Sequence, residues 1–129
     1  ARVSSGSKVI FVCMSSLFED FKMVLKDSTK NYRIAYELSD CLGQVAGQVF
    51  EEFGASGFVL NGGDTTMQLC RHLGVIGIEP VAEAAPGAPV GIFVGGKADR
   101  VPVITKSGAF GGEDVTVKCI NFLEEYRKD

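Results

Sequence analysis

The chain has 129 residues, 46% of them hydrophobic and 22% charged, with a formal net charge of -3. That length fits one domain able to bury a real core, and the negative balance argues against non-specific nucleic-acid binding. No apolar run reaches the ~20 residues of a membrane span, so a membrane role is not expected.

In chain order, Ala1-Arg2-Val3-Ser4-Ser5-Gly6-Ser7 is small and polar. Residues 1–7 read as a leftover scar or cut linker, and residues 8–129 as the domain, a fragment of something longer. Lys8 to Met14 is a continuous β-branched and aromatic run, as in a strand buried on both faces. Ser15-Ser16 can cap a helix to about Lys26. From Asn31 to Phe53, Ile34, Leu38, Cys41, Leu42, Val45, Val49, Phe50 and Phe53 recur at three- and four-residue steps. This predicts a long amphipathic helix, stopped by Gly54. Gly43 and Gly47 lie on one face of it, which points to close packing against a sheet or another helix. Gly57 to Leu60 reads as a short strand, Thr65 to Leu73 as a short helix closed by Gly74, and Val75 to Pro80 as a strand. Val81 to Pro89 reads as an Ala/Pro/Gly loop. Val90 to Val94 and Val101 to Thr105 form an antiparallel pair, joined by a turn at Gly95–Arg100. Glu113 to about Tyr126 is the last helix, with Val115, Val117, Ile120 and Leu123 facing inward. The order predicts an α/β fold, a three-layer α/β/α sandwich with a mixed, mostly parallel sheet.

Two glycine turns carry the functional signal. Asn61-Gly62-Gly63-Asp64-Thr65-Thr66 follows one predicted strand, and Lys106-Ser107-Gly108-Ala109-Phe110-Gly111-Gly112 follows another. Gly62 and Gly63 allow a sharp bend and close approach to a ligand. Asp64 or Thr65 can cap the helix that follows, whose N-terminus carries about half a positive charge. Lys106 offers a compact cation, and Gly108 and Gly111 free backbone N–H groups. Each turn alone reads equally well as a plain strand–turn–helix junction. Both leave strand C-termini, where ligands of α/β sheets sit. The run Gly91-Ile92-Phe93-Val94-Gly95-Gly96-Lys97-Ala98 has the GxxxxGK spacing but lacks the final hydroxyl and a following helix, so a P-loop is rejected.

His72, the one histidine, sits late in a short helix, where its charge would complement the C-terminal dipole. Cys13, Cys41, Cys70 and Cys119 are too widely spaced for a zinc or CxxC motif, and read as buried, reduced thiols of a cytoplasmic protein. No protein metal cluster is read.

The succession of GGDT, a helix ending in LG, Glu79-Pro80, Pro86-Gly87-Ala88-Pro89-Val90-Gly91 and KSGAFG before Glu113-Asp114 resembles the C-terminal nucleotide-binding domain of the four-carbon acid sugar kinases. The likeness covers about residues 8 to 126 and is strongest from Gly57 to Asp114. It implies phosphorylation of D-threonate, D-erythronate or 3-oxo-tetronate at the 4-hydroxyl, with ATP and Mg²⁺. It implies ATP binding by Gly62, Gly63, Asp64 and Thr65, and by the second turn through Gly108 and Gly111. Lys106 and Ser107 join that set as an inference from the residues. The sugar acid would bind mainly to an N-terminal domain that this chain lacks, together with the general base, leaving the catalytic residues unassigned and the fragment inactive alone. A face exposed by the missing domain would favour a homo-oligomer. The alternatives are a non-catalytic nucleotide- or anion-binding regulatory module, and an interaction domain whose glycines only turn the chain.

Overall fold

The computed structural model describes residues 9, 10, 12, 28–107 and 111–128. The helix expected from Ser15 to Lys26 and Cys13 lie outside them. Of the expected Lys8–Met14 strand, Val9, Ile10 and Val12 are described, and they are not in a strand.

The first described helix, α1 (Ser28–Phe53), has 26 residues. Gly54 ends it as expected, with φ +71° and its N–H donated to the Phe50 carbonyl at 2.7 Å. Strand β1 (Phe58–Asn61) leads into helix α2 (Gly63–Leu73), which closes on the left-handed Gly74. Gly43 explains how α1 and α2 come so close: a Cβ there would lie 2.8 Å from the Gln68 backbone. Two side-chain hydrogen bonds add to this seam, His72 with Asp40 and Arg71 to the Tyr36 hydroxyl, both at 2.9 Å.

Strands β2 (Gly77–Ala85) and β3 (Ala88–Val94) form a hairpin, and β4 (Pro102–Lys106) precedes the last helix, α3 (Val115–Lys128). The expected Val81–Pro89 loop is therefore corrected: only Pro86-Gly87 turns, with Gly87 at φ +80°. Pro-Gly suits the two central positions of a type II turn. β2 is an edge strand, the place in a sheet where a proline such as Pro80 is tolerated, and its register shifts twice near Pro80 and Glu83. Its residues are mostly exposed, so the alternation that marks a half-buried strand is missing.

The sheet order is β1-β4-β3-β2. β1 and β4 are parallel; β4–β3 and β3–β2 are antiparallel. The sheet is mixed as expected, and among the described strands one pair is parallel and two are antiparallel, so these are not mostly parallel. The short β2–β3 and β3–β4 connections permit only antiparallel neighbours. Alternation along the strands feeds two cores. Phe58, Leu60, Val103 and Phe93 meet Leu69 and Leu73 of α2 and Phe50 of α1. Val59, Ile104 and Val90 meet Val115, Cys119 and Leu123 of α3. Helices thus cover both faces, giving the α/β/α layering. On α3 the inward set is Val115, Cys119, Phe122 and Leu123, whereas Val117, expected inside, is 57% exposed. The Gly95–Arg100 segment is a turn, as read, and Lys97 there pairs with Glu51.

Candidate functional site

Because β1 and β4 are adjacent and parallel, their C-terminal ends share one rim of the sheet. Asn61 stands opposite Lys106 in the register. Both glycine turns therefore start side by side, and the Gly62 N–H donates to the Lys106 carbonyl at 2.8 Å, tying them together.

Gly62 is the N-cap of α2, at φ 101° and ψ 141°, with no side-chain cap. The expectation that Asp64 or Thr65 caps the helix is corrected. The helix begins two residues earlier than Thr65, so these side chains fall inside its first turn. Thr66 instead donates both its N–H, at 3.2 Å, and its hydroxyl, at 2.9 Å, to the Gly62 carbonyl. The N–H groups of Gly63, Asp64 and Thr65 precede that first helical donor and point out of the helix end, as the geometry of any α-helix requires. Among the described residues, a Cβ on Gly63 would meet nothing within 4 Å. Asp64 is exposed in the first turn, where its charge favours the helix dipole.

On the second turn, the Lys106 ammonium donates to Asn61 Oδ1 at 3.3 Å and to the Ser107 carbonyl at 3.2 Å. Ser107 is exposed directly after β4. Gly108 lies outside the described residues. Gly111 has φ +96°, and a Cβ there would come within 2.9 Å of the Val115 side chain. Its glycine is accounted for by the fold. Beneath this rim, burial pushes the Cys119 thiol up, with the Lys106 ammonium pulling the other way. Asn61 and Thr66 are the two residues at the rim given no role from sequence. The strand-end position of Asn61 was visible there, but its partner across the sheet was not.

Elsewhere, a shallow concavity of about 330 Å³ lies between α2 and the start of β2, lined by Thr66, Met67, Cys70, Ile76 and Ile78 among others. None of the sequence-predicted site residues lines it. Cys41, Cys70 and Cys119 are free thiols, and Cys41, expected buried, is exposed because it falls on the outer side of α1. Among the described residues no three His, Cys, Asp or Glu side chains gather where they could hold a metal, and no helix is long and apolar enough to cross a membrane.

The model of the nucleotide-binding C-terminal domain family matches residues 4–116. The chain belongs to that family. This nucleotide-binding C-terminal domain is of the type found in four-carbon acid sugar kinases. It is 37% identical over 86 residues to the D-threonate kinase of Bordetella bronchiseptica, covering 67% of this chain and 21% of that protein. It is 33% identical over 100 residues to the D-threonate kinase of Salmonella typhimurium, covering 78% and 24%. It is 34% identical over 94 residues to a D-erythronate kinase of Heliobacterium modesticaldum, covering 70% and 21%. The nucleotide-binding domain thus spans about a fifth to a quarter of these relatives' length. A crystal structure from B. bronchiseptica, a domain-swapped dimer with bound citrate, shares the fold at TM-score 0.68 and 35% identity over 70% of this chain and 23% of that one. A Haemophilus influenzae structure at TM-score 0.60 and 20% identity shares the fold over 82% and 24%.

Proposed function

We propose that this domain is the ATP-binding part of a cytoplasmic kinase that phosphorylates the 4-hydroxyl of a four-carbon sugar acid of the threonate or erythronate type. The observation that carries the reading is the shared rim: two glycine turns leave neighbouring parallel strands and are joined by the Gly62–Lys106 hydrogen bond. The named substrates of the relatives support the sugar-acid class. The free thiols support a reducing compartment.

The residues present suit a nucleotide polyphosphate. The N–H groups of Gly63, Asp64 and Thr65 would bind phosphate oxygens, aided by the α2 dipole. None of the described residues crowds Gly63, which leaves room among them for those oxygens to approach. Lys106 would offset charge on the transferred group, and Ser107, Gly108 and Gly111 are the further residues of the second motif that we assign to the phosphates. Asp64 is the carboxylate at the rim suited to Mg²⁺, which characteristically takes one or two carboxylates together with phosphate oxygens and water. Mg-ATP, when bound, supplies the phosphoryl group and neutralises part of its charge. No residue here is assigned as the base for the sugar hydroxyl. That group and most of the sugar-acid site belong to an N-terminal domain, so this domain alone binds nucleotide without turning over substrate. The domain-swapped relative supports homo-oligomer formation.

Calorimetric titration with Mg-ATP tests the reading. The domain binds with about 1:1 stoichiometry, and Gly63→Val abolishes binding while the protein stays folded. Unchanged binding in Gly63→Val places the nucleotide elsewhere. Absence of binding in the parent leaves an interaction domain whose glycines only turn the chain.

A further inference from the structure

Gln68 is the one buried polar side chain among the described residues, at 6% exposed. It lies on α2 where α1 crosses, and a Cβ on Gly43 would come within 2.8 Å of the Gln68 Cβ and backbone. Other polar groups of this seam are paired, His72 with Asp40 and Arg71 with Tyr36. The Gln68 carboxamide has no hydrogen-bond partner among the described residues. A buried amide left in this state costs stability, which an apolar side chain of the same length would not. On an α-helix a long side chain leans back over the turn before its own Cα. Position 68 follows Asp64 by four residues and Thr65 by three, so its neighbours on that side are two of the residues whose N–H groups open the helix. The next residue of the same stripe toward the C-terminus, His72, is engaged by Asp40. The helix geometry therefore turns the amide of Gln68 toward the N-terminal end of α2, the place assigned above to phosphate oxygens.

We infer that Gln68 is a further binding residue of the nucleotide site: its carboxamide N–H donates to a phosphate oxygen held at the start of α2. The inference rests on the nucleotide reading above. A hydrogen bond to an anion is among the strongest a neutral amide can make, so the cost to the ligand-free domain is recovered on binding. Gln68 belongs to neither glycine motif, and its role comes from burial and from its place one turn into the helix.

The test is Gln68→Met on the whole chain, which keeps the length of the side chain and removes its amide. Dissociation constants for Mg-ATP and for magnesium tripolyphosphate are read by calorimetry, and thermal midpoints are read without ligand. The ligand-free midpoint stays level or rises, because an unpaired buried amide has been removed. Binding of both ligands weakens about tenfold or more, as loss of a hydrogen bond to a charged group does. If the parent binds Mg-ATP and Gly63→Val abolishes it, yet Gln68→Met binds both ligands as tightly as the parent, the inference falls and the nucleotide reading stands. A clearly lower ligand-free midpoint in Gln68→Met means that the amide serves the fold, and overturns the inference equally. Weaker Mg-ATP with unchanged tripolyphosphate moves the amide to the nucleoside and overturns the phosphate assignment. If the parent binds no Mg-ATP, the nucleotide reading falls, and this inference with it.

Discussion

Three glycines at the rim look alike in sequence and differ in what the fold asks of them. Gly62 sits at φ +101°, a conformation L side chains rarely adopt, so Gly62→Ala lowers stability by about 1–3 kcal/mol. Gly111 combines a positive φ with contact on Val115. Gly63 has no positive φ and no described neighbour within 4 Å of a built Cβ, so among the described residues the fold does not demand its glycine, as the proposed ligand site would. Gly63→Ala therefore leaves the unfolding free energy within about 0.5 kcal/mol of the parent in urea, or raises it through helix propensity, while weakening Mg-ATP. The GGDT and KSGAFG motifs were legible as candidate ligand turns. Which of their glycines the backbone itself demands was not, because that depends on φ and on neighbours from other elements. At the start of α3, Lys118 holds the Asp114 carboxyl below its ordinary range by a hydrogen bond and its charge. A folded-state pKa below the unfolded one stabilises above the unfolded value, and the effect is lost as pH falls through the folded value. Carbon-detected NMR titration should show Asp114 titrating low, and Lys118→Met should return it toward the usual carboxylate range.

Among the elements, α1 was readable almost to its ends, because 26 residues of helical periodicity and a terminal glycine give many independent signals. The close seam it makes with α2 was legible as two glycines four apart, but the partner surface was not. Gly43 presses on the Gln68 backbone and Gly47 has more room, its nearest neighbour lying 3.5 Å from a built Cβ. Gly43→Ala is thus predicted to destabilise by about 1–3 kcal/mol and Gly47→Ala by clearly less, measured by denaturant unfolding. β2 was the main element misread. Edge position, exposure and a proline removed the alternation on which strand reading rests, and Pro86-Gly87 drew the whole segment toward a loop. Val117 shows the same limit on α3: an apolar residue at a plausible helical step still faces water when the sheet beneath is already covered by Val115 and Cys119. The thiols give a check on these placements. Cys41, exposed on α1, should alkylate much faster than Cys119, whose burial both shields it and pushes its thiol up.

At the scale of the whole molecule, function depends on which rim each turn occupies. The Gly74 and Gly95–Arg100 turns crowd together at the opposite rim, where the Lys97 N–H donates to the Leu73 carbonyl. That end is occupied by contacts of the fold itself, including the pair of Lys97 and Glu51. The α/β class and its two-sided helical cover followed from the order of apolar runs, whereas strand order and direction came from pairings between distant segments. In the proposed function, Gly62–Thr65 and Lys106–Gly111 hold one polyphosphate between them. Amide chemical-shift mapping with Mg-ATP tests it most directly. Backbone N–H signals of both turns should move together along one saturation curve while those of Gly95–Asp99 stay still. Movement confined to one turn, or centred on Gly74 and Gly96, would contradict it.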